Sequence, residues 1–308
     1  RVFRDVAEVG QVLEKLDDVI GTTTRPDVAI IYDTENRWAI EDIQGLVKGD
    51  KDYVTTCMNH YEAFWKQGIS VDVIDMEQVL DSYRLVIAPM LYMVRPGVAE
   101  RITRFVENGG TFVATYWSGV VDENDLCFLG GFPGPLRQVL GIWAEEIDTL
   151  YATDENRLIP NSDNLLKLTA PYKIHQLCEL IHAESAQTLA TYETDFYAES
   201  PALTLNNFGK GQAYYIAART EQPFLDEFYR AIAADLKIQP IIATALPEGV
   251  SVSQRTDGKR QFIFVMNFTN AAVNMQLDQQ PYNDLLSGER IDNQLELSPY
   301  GVRILTLG

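Results

Sequence analysis

The chain has 308 residues, of which 46% are hydrophobic and 22% charged, a balance that excludes long disordered tracts and favours about two globular domains. Its formal net charge of −19 would repel a phosphate backbone, so we expect no nucleic-acid partner. No apolar run approaches the roughly 18 to 20 residues that a membrane helix needs, so we expect a soluble protein without a membrane partner.

The cysteines indicate a reducing compartment. Cys57, Cys127 and Cys178 lie far apart, and their odd count and spacing are not typical of a disulfide framework or a zinc site. We therefore expect free thiols and a cytoplasmic location. The chain begins at Arg1 without a methionine, so we expect a processed or excised piece of a longer protein. An export signal upstream of Arg1 is kept as an alternative to this location.

The first 22 residues predict a helix with one apolar face. Apolar residues recur alternately four and three positions apart, as on one side of a helix that ends near Gly21. They are Val2, Val6, Val9, Leu13, Leu16 and Ile20. This seam is too short to demand an independent coiled coil, so we expect it to dock on a neighbouring domain.

From Asp27 onward, short apolar segments alternate with amphipathic ones. The apolar segments predict four strands, DVAIIYD, SVDVID, YRLVIAP and GTFVATY. The segments DYVTTCMNHYEAFWKQG and PGVAERITRFVENGG predict helices, the second with Pro96 near its start and glycines at its end. This alternation predicts a Rossmann- or flavodoxin-like α/β domain, with a mainly parallel sheet covered by helices on both faces.

The stretch from Trp117 to Pro135 predicts a long irregular loop, of a kind that is usually functional or interfacial. Weaker strand signals follow it, and then EQPFLDEFYRAIAADL predicts a last helix. The weak strands are Trp143 to Leu150, Thr188 to Tyr192, Ala202 to Asn206 and Gln212 to Ala217.

Around Gln239-Pro240 the pattern changes to short strands without helices. The strands are GVSVSQR, QFIFVMNF, AVNMQL, QLELS and GVRILTL. They predict a small antiparallel sandwich or barrel.

Two kinds of chemistry are disfavoured by the residues that follow the strands. A phosphate loop needs glycines, but the first strand runs into Asp33 and Glu35, whose carboxylates repel phosphate. The strand-to-helix elbow that holds the cysteine nucleophile of amidotransferase-like enzymes carries Trp117 and Ser118 instead. We interpret Ser118 as a turn cap. The histidines, His60, His175 and His182, are interpreted as surface or core residues, and no catalytic, cofactor or metal residue is predicted.

A set of aromatic and acidic residues follows the strand ends, and it is the candidate site. The carboxyl ends of parallel strands meet at one edge of a sheet, where α/β ligand sites form. Exposed aromatics beside carboxylates suit sugar stacking and a protein interface equally. For the acidic loop stretch we favour solvated or interfacial structure over general acids or metal ligands. The candidates are Asp33, Glu35, Trp38, Tyr92, Tyr116, Trp117, Asp122, Glu123, Asn124 and Asp125.

At several of these segments the chain resembles the C-terminal half of glycoside hydrolase family 42 β-galactosidases. The similar blocks are VAIIYDTENRWAIED, YRLVIAPMLYMV, GGTFVATYWSGVVDENDLCFLGGFPGPLRQVLGI, DLLSGE and SPYGVRIL. The resemblance covers essentially the whole chain. It implies a linker helix over residues 1–22, a class I glutamine amidotransferase-like trimerisation domain over 23–239, and a C-terminal β-domain over 240–308.

The resemblance also implies a function. In that family a preceding TIM barrel holds both catalytic glutamates of a retaining mechanism, and no residue here matches their motifs. It implies the non-catalytic assembly portion of a β-galactosidase that acts on terminal β-D-galactosides, with its own barrel and neighbouring subunits of a homotrimer as partners. Two alternatives stay open: an autonomous amidotransferase- or hydrolase-like enzyme, and a carbohydrate-binding module.

Overall fold

A computed structural model describes residues 2–43, 51–151, 153–278 and 280–307. Contacts divide the described chain into two units. Its helices are α1 (Val2–Glu14), α2 (Thr34–Asp42), α3 (Tyr53–Trp65), α4 (Val98–Glu107), α5 (Arg137–Leu140) and α6 (Gln222–Asp235), with short 3-10 helices at Asp17–Val19 and Gly134–Leu136. Its strands are β1 (Val28–Ile31), β2 (Val71–Ile74), β3 (Leu85–Ala88), β4 (Thr111–Thr115), β5 (Ile142–Thr149), β6 (Asn156–Pro160), β7 (Tyr172–Ala183), β8 (Gln187–Tyr192), β9 (Pro201–Phe208), β10 (Gly211–Ile216), β11 (Ala218–Thr220), β12 (Val250–Thr256), β13 (Gln261–Asn267), β14 (Val273–Gln276), β15 (Tyr282–Asp284), β16 (Arg290–Ile291), β17 (Gln294–Leu297) and β18 (Val302–Leu307).

The larger unit contains the described residues of Asp27–Ala63 and Val71–Leu236 and is built on one eleven-stranded sheet. The strand order is β11-β7-β6-β8-β9-β10-β4-β3-β1-β2, and β5 pairs with a further stretch of β7. The neighbours β2, β1, β3, β4 and β10 are parallel. The remaining strands extend the sheet in antiparallel fashion from β10. The predicted α/β domain is confirmed, and its sheet is mixed.

Burial explains the parallel part of the sheet. Strands β1, β3 and β4 are buried at every position, as expected for apolar strands covered on both faces. Helix α4 buries the predicted face, which includes Val98, Ile102 and Phe105. It begins after Gly97, whose φ of 81° lies in the left-handed region that glycine tolerates. These elements fix the ends of β1, β3 and β4 at one edge of the sheet.

Helix α2 and strands β6 and β7 are the main elements of this unit that were not predicted. Helix α2 follows β1 directly and buries only Asn36, Ala39 and Ile40, so its apolar pattern is weak. Strand β6 has mixed burial, and the twelve-residue strand β7 has an irregular alternation of buried and exposed positions. A register shift where β5 pairs with β7 breaks the two-residue period that identifies a half-buried strand.

The smaller unit contains the described residues of Arg1–Pro26, Phe64–Ser70 and Lys237–Gly308. Its strands form an antiparallel five-stranded sheet, β12-β13-β18-β15-β16, and a two-stranded sheet, β14-β17. The predicted antiparallel β-domain is confirmed, while the short strands β15 and β16 were not predicted. Its core residues are Ile242, Val250, Val252, Ile263, Val265, Met275, Leu277, Tyr282, Leu295, Leu297 and Leu305.

The predicted N-terminal helix is present as α1, but it is shorter than predicted and ends at Glu14. None of its residues is buried. Val2, Val6, Val9 and Leu13 are all exposed, so the seam covers no core of the described chain. An apolar face of this kind is expected to be covered by a partner.

Candidate functional site

The carboxyl edge of the parallel strands is held in shape by one buried side chain, Asn36. Its Nδ2 donates to the carbonyl of Met90 at 3.0 Å, and its Oδ1 accepts from the N–H of Met93 at 2.8 Å. Met90 has a φ of 45°, in the left-handed region, so the chain turns sharply after β3. Asn36 therefore fastens helix α2 to the segment after β3. This role of Asn36 was not predicted from the sequence, because its hydrogen-bond partners lie more than fifty positions away along the chain.

Asp33 and Glu35 converge on an arginine that was not predicted as part of the site. Asp33 caps α2 by accepting the N–H of Asn36 at 2.8 Å. Arg95 donates to Asp33 at 2.7 Å, to Glu35 at 2.6 Å and to Asp75 at 3.1 Å. The Asp33 side chain is fully buried, so this contact compensates a desolvated carboxylate.

The protonation of Asp33 is balanced by its neighbours. Burial raises the pKa of the Asp33 carboxyl above its usual value, and the Asp75 carboxyl acts in the same direction. The N–H of Asn36 and the charge of Arg95 oppose this rise. These interactions give Asp33 a structural role as helix cap and ion-pair partner.

The expectation that the aromatic residues after the strand ends are exposed is correct for Trp38 and wrong for Tyr116 and Trp117. Trp38 is 61% exposed on α2, whereas Trp117 is only 2% exposed. Trp117 and Tyr116 belong to a buried cluster with Ile40, Tyr53, Cys57, Met90 and Leu177. Position after a strand end fixes the edge at which a residue lies, but it does not fix whether the side chain turns outward or into the core.

Tyr116 is held by a side chain from a distant strand. The Nε of Arg219 donates to the Tyr116 hydroxyl at 2.8 Å, and the guanidinium lies 5.6 Å from the ring centroid. Such a cation over an aromatic face adds electrostatic attraction to the packing. Tyr116, like Trp117, is therefore an internal residue of this edge.

The elbow after β4 is supported by a buried glutamate, Glu179. The N–H of Trp117, whose φ is 58°, donates to Glu179 Oε1 at 2.7 Å, and the Tyr215 hydroxyl donates to Oε2 at 2.6 Å. Burial raises the pKa of Glu179 to about 7, although both hydrogen bonds lower it. Glu179 lies on β7, a strand that was not predicted, and this explains why the sequence did not reveal it.

Ser118 occupies the turn as interpreted from the sequence. Its hydroxyl donates to the carbonyl of Thr115 at 2.7 Å and accepts the N–H of Leu91 at 3.2 Å. The three histidines lie elsewhere. The Nδ1 of His60 lies 2.5 Å from the Tyr229 hydroxyl, the Nε2 of His182 lies 2.5 Å from Glu145, and His175 is exposed on β7.

The acidic loop is ordered by its own first residue. Asp122 Oδ1 accepts the N–H groups of Asn124 at 2.8 Å and Leu126 at 3.1 Å, and Asp125 has a φ of 60°. Glu123, Asn124 and Asp125 are exposed. A side-chain acceptor that bonds nearby backbone donors is the usual device of a tight polar turn.

This loop and α2 form the walls of a groove of about 670 Å³ that is open to solvent. We call it the Trp38 groove. It is lined by Glu35, Trp38, Ala39, Glu41, Asp42, Met93, Glu123 and Asp125. Tyr92 lies nearby, half-buried, and burial raises the pKa of its phenol to about 12, aided by the charge of Asp125. The groove therefore brings together part of the predicted set, while Tyr116 and Trp117 lie in the core.

Across the described ranges, no cluster of three or more histidine, cysteine, aspartate or glutamate side chains is arranged to hold a metal ion. No helix in those same ranges is long and apolar enough to cross a bilayer.

Comparison with known families covers nearly the whole chain. Residues 26–239 match the family model of the β-galactosidase trimerisation domain, and residues 249–307 match that of the β-galactosidase C-terminal domain. These matches define the class of protein as a glycoside hydrolase, represented here by its trimerisation domain and the β-domain that follows it. The chain belongs to the glycoside hydrolase family 42 β-galactosidases.

The relatives are full β-galactosidases. Over 99% of the chain, the sequence is 53% identical to β-galactosidase Pbg of Clostridium perfringens and 48% identical to BglY of Alicyclobacillus acidocaldarius. The chain spans 44% of the length of each of these two relatives.

Solved structures give the same result. A cold-adapted β-galactosidase from Rahnella sp. R3 is 51% identical with a TM-score of 0.92, over 99% of this chain and 44% of that one. The β-galactosidase from Bacillus circulans sp. alkalophilus is 41% identical with a TM-score of 0.95, over 100% of this chain and 45% of that one. The chain thus corresponds to the C-terminal, non-catalytic part of such enzymes, and the amidotransferase-like alternative is not favoured.

Proposed function

We propose that this chain is the assembly portion of a homotrimeric β-galactosidase that hydrolyses terminal β-D-galactosides by a retaining mechanism in a TIM barrel. The observation that carries this proposal is the match of residues 26–239 to a trimerisation domain, in a chain that spans 44% of the relatives' length. A retaining mechanism needs two carboxyl groups about 5 Å apart across the sugar, and we assign both to the barrel.

The finer fold assignment is part of the proposal. The order β2-β1-β3-β4-β10 of the parallel strands follows the flavodoxin-like order 2-1-3-4-5. The left-handed φ of Trp117 after β4 supports an elbow of the class I glutamine amidotransferase type, with tryptophan at the nucleophile's place. The free thiols of Cys57, Cys127 and Cys178 support a cytoplasmic location.

The contacts of the assembly are proposed on two exposed features. We assign the apolar face of α1 to contact with the barrel, because Val2, Val6 and Val9 lie uncovered. The Trp38 groove and the adjoining loop are assigned to the edge that faces a barrel or a neighbouring subunit. In that loop Leu126 is exposed and Leu129 is fully exposed.

Two measurements test the proposal. The purified 308-residue chain should not hydrolyse a chromogenic β-galactoside above a buffer blank, whereas the complete enzyme should. Light scattering of the complete enzyme at micromolar concentration should give the mass of a trimer, since a closed ring needs a heterologous pair of surfaces on each subunit. Turnover by the pure chain would refute the assembly role, and a monomeric complete enzyme would refute the trimer.

A further inference from the structure

The Trp38 groove combines an exposed indole with an excess of negative charge. Trp38 and Met93 contribute apolar surface, and five carboxylates line the same groove, namely Glu35, Glu41, Asp42, Glu123 and Asp125. A flat aromatic face bordered by carboxylates is an environment in which a guanidinium or ammonium group is stabilised by both the ring and the charges.

Part of this charge is already compensated within the chain. Arg37 donates to Glu41 at 2.6 Å, and Arg95 donates to Glu35 at 2.6 Å. Glu123 and Asp125, in contrast, make no ion pair among the described residues. A cation placed beside the acidic loop is therefore stabilised more strongly than a cation placed beside Glu35 or Glu41.

The kinds of polar group in the groove discriminate between ligands. A neutral sugar presents hydroxyl groups that both donate and accept, whereas arginine and lysine side chains only donate. The charged side chains lining the groove are all carboxylates, which only accept when ionised. The donor-only chemistry of a basic side chain complements this lining more completely than that of a sugar.

We infer that the Trp38 groove binds a basic protein segment, with an arginine or lysine side chain against the Trp38 indole and between Glu123 and Asp125. This inference rests on the proposed assembly role, and it identifies the chemistry of the partner surface at this edge. The inference depends on charge complementarity, because the segment supplies the positive charge with which Glu123 and Asp125 are not paired among the described residues.

The test uses the 308-residue chain and a blocked pentapeptide, acetyl-Gly-Arg-Leu-Arg-Gly-amide, with nuclear magnetic resonance of the tryptophan indole N–H groups as readout. Trp38→Phe assigns the Trp38 signal. The peptide should shift that signal, and an otherwise identical peptide with citrulline in place of arginine should bind at least about tenfold more weakly. Raising the salt from about 50 mM to about 500 mM should weaken the arginine peptide's binding, because screening shortens the reach of the carboxylates.

Charge-matched variants locate the site. Glu123→Gln combined with Asp125→Asn should weaken binding at least about tenfold, whereas Asp163→Asn combined with Glu199→Gln removes the same charge at exposed positions elsewhere and should leave binding unchanged. Equal weakening by both pairs, or equal binding of the citrulline peptide, would overturn the inference. It would also be overturned if methyl β-galactoside shifted the Trp38 signal and the arginine peptide did not. The test needs neither catalysis nor a trimer, so its failure leaves the proposed function standing.

Discussion

The Glu179 carboxylate accepts the backbone N–H of Trp117 at 2.7 Å, across a separation of 62 positions in the chain. One side chain of the antiparallel part of the sheet thereby fixes the elbow at the end of a parallel strand. Because both residues are buried, this contact has consequences for stability that are measurable in the chain alone.

The first prediction concerns pH. Burial raises the pKa of Glu179 to about 7 from 4.5, so the folded chain retains a proton that the unfolded chain releases. Its stabilising contribution is complete below about pH 4.5 and is lost as the pH rises through 7. At about 1.4 kcal/mol per pH unit, the loss is on the order of 3 kcal/mol. Glu179→Gln keeps a neutral acceptor and should remove this part of the decline.

Urea denaturation at pH 5 and pH 8, followed by tryptophan fluorescence, measures the effect. The free energy of unfolding of the wild type should fall more between the two pH values than that of Glu179→Gln. The exposed substitution Glu199→Gln is the control and should leave the difference unchanged. Parallel declines in wild type and Glu179→Gln would contradict the prediction.

The second prediction separates the two tryptophans. Trp117→Ala removes a large buried side chain and should cost about 3 to 5 kcal/mol in the free energy of unfolding. Trp38→Ala removes an exposed one and should change it by less than about 0.5 kcal/mol. Urea denaturation of the two variants under one condition gives the comparison, and equal losses would show that the burial of Trp117 is misassigned.

The third prediction concerns Arg95. Arg95→Met leaves the buried Asp33 carboxylate without its ion-pair partner and should cost about 3 kcal/mol. Adding Asp33→Asn keeps a helix-capping side chain without the charge, so the double variant should recover most of the loss. Arg37→Met, which breaks the exposed pair with Glu41, should leave the free energy of unfolding nearly unchanged. Additive losses in the double variant would exclude the proposed coupling.

The fourth prediction concerns the exposed face of α1. Replacing Val6 and Val9 by glutamine should change the unfolding free energy of the chain by less than about 0.5 kcal/mol, because no residue of α1 is buried. The same replacement at the buried Val265 should cost several kcal/mol, since it leaves an amide without water. In the complete enzyme the α1 variant should lower the temperature of unfolding. An unchanged complete enzyme would argue against a covered α1 face.

Elements with a strong local apolar pattern were predictable from the sequence, whereas elements stabilised by residues distant in the chain were not. Strands β1, β3 and β4 and helix α4 were predictable because their apolar patterns are local and strong. Helix α2 was missed because its stability comes from the Asp33 cap and from Asn36, whose partners lie beyond any local window.

The candidate site shows the same limit. The sequence placed Trp38 and Trp117 at one edge, because strand ends determine that edge. Their exposure depends on packing against residues such as Leu177, which belongs to a strand without a clear pattern. Arg95 and Glu179 were missed for a related reason, since a single charged residue has no periodicity that would mark its burial.

The sheet order has a consequence for how the chain reaches its structure. Strands β4 and β10 pair as parallel neighbours, Thr111 with Gln212, although β5 to β9 lie between them in the sequence. The loop that must close before this pairing is long, and pairings of high sequence separation are slow to form. Until β10 arrives, β4 presents an unpaired edge of apolar residues, the kind of edge that recruits strands from other molecules. During synthesis this edge of β4 stays unpaired until β10, which ends at Ile216, has left the ribosome. Chains truncated before Ile216 should therefore aggregate.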